Sequence, residues 1–568
     1  MTKTAAVTIV ALLVAGCGGP NQPSVSALTS EFVYQSLAFA PVAATGAGYH
    51  RHGDIDLDVL LDDPSPGALD RQLAFYRGFL ERIQRLDSTR LSLDEAADVE
   101  ILRGQAELAL LELDEIRSHE HNPTLYVELV GNGLFQPWTL HYASKPERFA
   151  HIIARLRRVP DLAARAKAHL RAAPSIWTEV AEAENDGNLA LIDQELRADV
   201  PPELAARYNA AAAAALTALE DLQTFLRTEL SRRSGADWRL GETLYARKFR
   251  LALGTDRTPD DVLQEAEQDL VAVRERMAAI ARELGARDVP EALARVARRQ
   301  ATPETYLAQV RADLDEARTF VHSSGLLRLP PRDNLEVIDT PEFMRGIYAV
   351  GGFSPAPPLE PHLGAFYWLT PIPRDWPRDR IESKLREYNF YKLKLLTIHE
   401  AMPGHYVQFE YANDVQPSER RLLRALYGNG PYIEGWGQYA TEAMLDAGYL
   451  NHSPELRLTF LKEELRVIAN AILDIRLHTK NMTDEEALHL MMEDTYQERE
   501  EAVAKLRRAK LSSCQLPTYL VGWRGWRRVR DEVRAERGDA WNAAEFHEAA
   551  LSQGAVPLPA LRRLLMRQ

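Results

Sequence analysis

The chain has 568 residues, 46% of them hydrophobic and 26% charged, with 31 Gly and 32 Pro. That composition excludes disordered, fibrous and polytopic membrane classes and leaves ample apolar material for a large core. The formal charge is -14 and no long basic run occurs, so a nucleic-acid partner is not expected: phosphate binding needs concentrated Lys and Arg.

The first element is a leader. Lys3 precedes the apolar stretch AAVTIVALLVAG, too short to span a bilayer, and VAGC closes it at Cys17. The pattern resembles a bacterial lipoprotein signal over 1-16, which implies that Cys17 becomes the lipidated first residue of an exported protein, anchored on the periplasmic or cell-surface side of a membrane. An ordinary cleaved signal peptide is the other reading, and it exports the protein equally. Residues 17-28, with GGPNQPSVS, read as a flexible linker. The remaining cysteine is Cys514, which reads as a buried structural thiol; with Cys17 lipidated or removed, a disulfide framework and any zinc site needing two cysteines are excluded.

From about Leu28 onward helical periodicity dominates, and 29-568 read as one helical domain. Leu73, Tyr76, Leu80 and Ile83 mark a buried stripe, and Ser92 with Glu95 forms a capping box before AADVEILRGQAELALLELDEI. The run NAAAAAALTALEDL is helix core, and Thr258 with Pro259 opens a long helix that stops at Gly285. Helical signals recur at 145-172, 202-232, 302-318, 454-478, 484-510 and 544-566 without a fixed period, so a solenoid is not expected. The one strand-like stretch is GAFYWLT at 364-370, either core filler or a short edge strand beside an active-site cleft.

The chemistry concentrates at HEAMPGH, 399-405. An apolar approach, LLTI, places His399 and Glu400 on a buried helix about 100° apart, so one can hold a metal while the other polarises water. His405 lies six residues after His399, and a straight helix would set the two about 120° apart, unable to share an ion. Pro403 cannot bond the His399 carbonyl and Gly404 tolerates unusual backbone angles, so a distorted helix that returns His405 to the side of His399 is predicted. Downstream, NGPYIEGWGQYATEAM offers Glu434 at the start of a new helix as the preferred third ligand, with Glu410 as its rival. Glu442, two turns on, is a candidate to accept a proton from a ligating imidazole.

HEAMPGH, followed by EGWGQY and DIRLH, resembles a family of bacterial secreted and lipoprotein metallopeptidases with the signature HExxPGH. That family is in turn similar to the helical zinc peptidases thimet oligopeptidase, thermostable carboxypeptidase and angiotensin-converting enzyme. The likeness includes GYHRHGDIDLD at 48-58 and GGFSPAPPLEP at 351-361. It implies a mostly α, two-lobed fold with a deep cleft and at most a small β-sheet beside the site. It also implies one zinc ion on His399, His405 and Glu434, with Glu400 as general base for peptide hydrolysis. By the same resemblance His478 stabilises an oxyanion and Tyr519 lies near the site; Asp474, one turn before His478, is placed to orient it. Tyr406 departs from the family, which often has a second histidine there. A zinc hydrolase of a nonpeptide amide or ester and a noncatalytic binding lipoprotein are the competing readings. Lys392, Lys394, Arg476 and Lys480 read as solvated charges or as grips on a peptide carboxylate.

Overall fold

The computed structural model describes residues 23-233, 236-340, 345 and 350-566; Cys17 and the leader lie outside them. Helices α1 (Val25–Phe39), α2 (Thr124–Thr139) and α3 (Lys145–Leu156) belong to the N-terminal part, where the short strands β1 (Arg51–His52) and β2 (Ile55–Asp56) form an antiparallel ladder. The fold is mostly α, with five short strands among the described residues.

Two hydrophobic cores divide the molecule. The smaller draws on residues between Val42 and Leu230, including Val127, Phe149, Ile153, Tyr208 and Leu219. Its Ala-rich helix, Ala205–Thr228, buries Ala211, Ala212 and Ala215, small side chains that permit close helix packing. The larger core takes both ends of the chain, from Val25 to Leu565. Its long members are Pro259–Glu283, opened by the Thr258 capping box, and Pro454–Thr479, which pack along each other.

Several helical expectations divide. The 145-172 segment breaks into α3 and Val159–His169, where Pro160 starts a new helix, and 484-510 breaks between Asp484–His489 and Arg499–Ala509. The strand expectation also changes. β3 (Leu335–Asp339), β4 (Gly351–Ser354) and β5 (Ala365–Leu369) form one sheet in the order β3-β5-β4, so the aromatic run is the central strand and not an edge. It pairs parallel to β3 and antiparallel to β4. Alternation explains the position: Ala365, Tyr367 and Leu369 enter the larger core, while Phe366 and Trp368 face a groove of about 860 Å³ shared with Phe135 and Trp138 of α2.

The second half supplies the remaining elements: α4 (Arg378–Glu387), α5 (Phe390–Glu400), α6 (His405–Ala412), α7 (Gly430–Asp446), α8 (Pro454–Thr479), α9 (Arg499–Ala509) and α10 (Pro517–Arg537). Among the described residues no helix is long and apolar enough to cross a membrane.

Candidate metal centre

The HEAMPGH segment is not one distorted helix but two. α5 ends at Glu400, α6 begins at His405, and Ala401 to Gly404 form a tight reversal that contains a cis Met402–Pro403 bond. Gly404 N–H bonds the Ile398 carbonyl at 2.9 Å, and a Cβ on Gly404 would stand 1.9 Å from the His399 carbonyl oxygen, so only glycine passes there. The Trp436 indole on α7 donates to the Pro403 carbonyl at 2.9 Å and reaches the Gly404 carbonyl at 3.2 Å, tying the reversal to the next helix.

This break brings the two imidazoles together, with ring centres 4.6 Å apart and nearly perpendicular. Glu434 enters from the second turn of α7, whose start is set by Asn429, its side chain accepting from Tyr432 N–H, and by Pro431 in the first turn. His399 Nε2 and His405 Nε2 each stand 3.5 Å from Glu434 Oε2. Tetrahedral ligands at ordinary zinc distances are separated by about 3.4 Å, so the spacing suits a shared ion. Glu434 Oε2 is buried without a hydrogen-bond partner, and so is His405 Nδ1. Two imidazole nitrogens and one carboxylate oxygen within 4.8 Å of one another, with the carboxylate oxygen otherwise unspent, fit zinc by donor type and number.

Electrostatics agree with the geometry. Burial drives the Glu434 carboxyl upward, but the two histidines outweigh it and hold the group far below the carboxylate range. Burial likewise pushes His399 down, and the negative charge of Glu434 and Glu400 nearby lifts it above its ordinary value. Glu400 makes no hydrogen bond with another described residue; its charge is felt by Tyr367 on β5 and Tyr519 on α10.

The surrounding elements hold the rings in place. Phe353 of β4 stacks on His405 with centres 6.3 Å apart, Tyr519 stacks on His399 at 6.4 Å, and Gln438 Nε2 lies 3.5 Å from His399 Nδ1. A Cβ at position 437 would stand 2.5 Å from the His399 ring, so Gly437 is what lets α7 lie against it. Gly435 and Gly522 meet backbone to backbone, which seats α10, and with it Tyr519, over the site. Phe353 and Gln438 escaped the sequence reading; GWGQ carried a signal of close approach for Gly437 alone.

Other expected site residues lie elsewhere. Glu442 takes a bidentate bond from Arg527 at 2.7 and 2.8 Å and another from the Trp523 indole at 2.8 Å, so it joins α7 to α10 and does not serve an imidazole. His478 is spent on both nitrogens: Leu240 N–H approaches Nδ1 at 3.4 Å and Nε2 donates to the Ser512 carbonyl at 3.0 Å. Asp474 accepts from Tyr245 at 2.6 Å and from Cys514 N–H at 3.0 Å, and it holds that region of α8 rather than orienting a catalytic histidine. The rival ligand Glu410 is buried in an ion pair with Arg332. Lys392 and Lys394 are not solvated: the first pairs with Glu463, the second with Asp313 at 2.7 Å and Glu316 at 2.8 Å.

Comparison with known proteins adds the family. The sequence matches, over residues 41–565, a family described as bacterial protein of unknown function, DUF885. The chain belongs to that family. A structure described as a candidate lipoprotein of unknown function from Shewanella oneidensis superposes on this DUF885 chain with a TM-score of 0.80. It is 28% identical and covers 95% of this chain and 99% of its own. A candidate lipoprotein from Colwellia psychrerythraea has a TM-score of 0.79 at 19% identity, covering 95% of this chain and 98% of its own, and shows the shared fold. No curated protein matches this DUF885 chain.

Proposed function

We propose that this DUF885 protein is a zinc-dependent peptidase of the HExxPGH kind, and that it acts outside the cytoplasmic membrane on a lipid anchor. The observation that carries the reading is the convergence of His399 Nε2, His405 Nε2 and the unpartnered Glu434 Oε2, with Glu400 beside them and free of hydrogen bonds to described residues. These three would hold one zinc, which when bound supplies Lewis acidity toward a water and toward a carbonyl oxygen.

The chain's own residues supply the rest. Glu400 accepts the proton of the attacking water on its carboxylate and delivers it to the leaving amine. Tyr519, whose hydroxyl is held above its ordinary value first by burial and then by the Glu434 charge, stays protonated and can donate to a developing oxyanion. A peptide substrate is favoured by β4, the end strand of its sheet, whose Phe353 touches His405: an extended chain can pair with its outer edge. Export and anchoring rest on the Lys3 to Cys17 leader and on the lipoprotein description of the Shewanella relative.

The test is incubation of the purified mature protein with a mixed peptide library, with and without chelator. Chelator-sensitive cleavage is expected. Zinc bound without any peptide cut would move the assignment to a nonpeptide amide or ester, and no zinc would end the hydrolase reading.

A further inference from the structure

The motif GYHRHGDIDLD at 48-58 takes no part in the metal centre, yet it gathers titratable groups of its own. Asp56, Asp58 and His151 bring ligand-type atoms within 4.8 Å of one another, but these side chains are already partnered. Asp56 Oδ1 accepts from Asp58 N–H at 3.1 Å, Asp58 Oδ1 from the Thr45 hydroxyl at 2.7 Å, and the Tyr142 hydroxyl lies 2.9 Å from His151 Nδ1. The group in an unusual position is His50, which immediately precedes β1. Its Nδ1 stands 2.8 Å from Asp58 Oδ2 and its Nε2 3.2 Å from Glu360 Oε2, and its ring stacks on Tyr142 with centres 4.4 Å apart.

An ionised carboxylate only accepts, so two carboxylates on one imidazole require hydrogen on both nitrogens, and the bridging ring is the imidazolium. A neutral ring keeps one N–H and one lone pair. Asp58 is 2% exposed and fixed by Thr45, whereas Glu360 has no other ion pair or side-chain hydrogen bond with a described residue. On loss of a proton Nδ1 therefore keeps its hydrogen for Asp58, and the Nε2 lone pair is left facing the Glu360 carboxylate, which repels it. The other titratable groups around the ring are Asp56 of β2, Tyr142, and His151 and Arg155 of α3; Arg155 bonds the Thr45 hydroxyl at 2.6 Å. His52 of β1 is bonded to Tyr49 at 3.0 Å.

The two partners stand on opposite walls of the groove of about 860 Å³. His141, beside Tyr142, lines it on the side of α2 and α3, and His362 and Leu363, just after Glu360, line it on the side of the sheet. Glu360 belongs to the connection from β4 to β5. That connection meets the motif at one further point, where Leu359 N–H bonds the Ala47 carbonyl at 3.1 Å, and a Cβ on Gly48 would stand 2.8 Å from Glu360 Cγ, so glycine permits the approach.

We propose that His50 is a protonation-dependent latch across this groove: charged, it binds Asp58 and Glu360 at once and holds the β4 to β5 connection in place; neutral, it releases Glu360 and lets the groove open. The same connection starts from β4, whose Phe353 lies on His405, so the latch also sets how firmly that wall of the metal centre is held. It operates whether or not the metal centre cuts peptides. Burial pushes His50 down, but the bonds and charges of Asp58 and then Glu360 outweigh it and hold the ring above its ordinary value. The latch is therefore closed below the ordinary histidine value of about 6.5 and opens as pH rises through the higher folded value.

Hydrogen exchange of the full mature chain at about pH 6, 7.5 and 9, read by mass spectrometry over 355-363 and divided by the intrinsic rate at each pH, tests it. Wild type should lose about tenfold in protection there from the lowest to the highest pH, the order expected for losing one charge-assisted hydrogen bond. His50→Gln removes the titrating ring and should abolish that loss. Glu360→Gln should stay protected across the range, because an amide accepts from the charged ring and donates to the neutral one, whereas an ion pair without the switch would be weakened at every pH. His151→Gln should keep the wild-type loss. Circular dichroism establishes that each variant is folded, and if His50→Gln is not, Glu360→Gln decides. Wild-type protection that does not change with pH, or a loss that persists in Glu360→Gln, would overturn the latch. A loss abolished by His151→Gln would assign the titration to His151 and overturn it as well.

Discussion

Two pairs of buried histidines in this molecule look alike in sequence and differ in what their ring nitrogens do. His478 and His547 are fully spent: His478 lies between Leu240 N–H and the Ser512 carbonyl, and His547 donates from Nδ1 to the Leu326 carbonyl and accepts at Nε2 from Tyr439, each at 2.9 Å. His399 and His405 instead turn Nε2 towards one carboxylate oxygen that has no other partner. The glutamates of α7 repeat the contrast, Glu434 unspent and Glu442 held by Arg527 and Trp523. The first kind of group is held by the fold, while the second, an unpartnered carboxylate oxygen facing two imidazoles, is what the zinc proposal rests on.

The largest expected effects separate the two classes by chemistry. Glu400→Gln should lower kcat by about 10²- to 10⁴-fold while zinc content stays at the wild-type level; loss of the metal in that variant would remove Glu400 from the role of base. His405→Ala should abolish zinc retention, whereas His478→Gln should keep the metal, alter kcat little and cost about 1–2 kcal/mol of stability through its lost hydrogen bonds. A chemical denaturation series on both variants, with metal analysis alongside, reads the difference directly.

A pH experiment sharpens the contrast. Burial, followed by the Arg530 charge, holds His547 at about 4 against the opposing Leu326 bond. Its folded value is below the ordinary histidine value of about 6.5, so the unfolded chain binds the extra proton between the two. Stability should therefore rise with pH across that window and be lost as pH falls from about 6.5 towards 4, by at most about 3 kcal/mol. His547→Gln should flatten that slope; an unchanged slope would mean that other groups carry it. The smallest effect is expected from Glu442→Gln, which should lower stability by about 1–2 kcal/mol, since the pair is partly exposed, and leave zinc in place.

How much of this was legible in the sequence follows from where the partners lie. The break at 401-404 could be read locally, because Pro403 and Gly404 fall inside the segment they interrupt, although a complete break exceeds the distortion predicted. Glu434 was legible because Asn429 and Pro431 announce the helix that carries it. Glu442, Asp474 and His478 were misread because their partners come from Trp523, Arg527, Tyr245, Leu240 and Ser512, distant in the chain and without local pattern. The same holds for Lys392 and Lys394, whose counter-ions sit on other helices, and for β5, whose central place depends on β3 and β4 arriving from either side. The mostly helical class was legible throughout, since periodicity and caps are local signals.

The central claim is that His399, His405 and Glu434 together hold one zinc. Elemental analysis of the purified mature chain beside Glu434→Gln tests it most directly, with circular dichroism to establish that both are folded. One zinc equivalent per wild-type chain and almost none in Glu434→Gln is the predicted result. A folded wild-type chain without zinc after exposure to it, or a Glu434→Gln variant that keeps the full equivalent, would contradict the account.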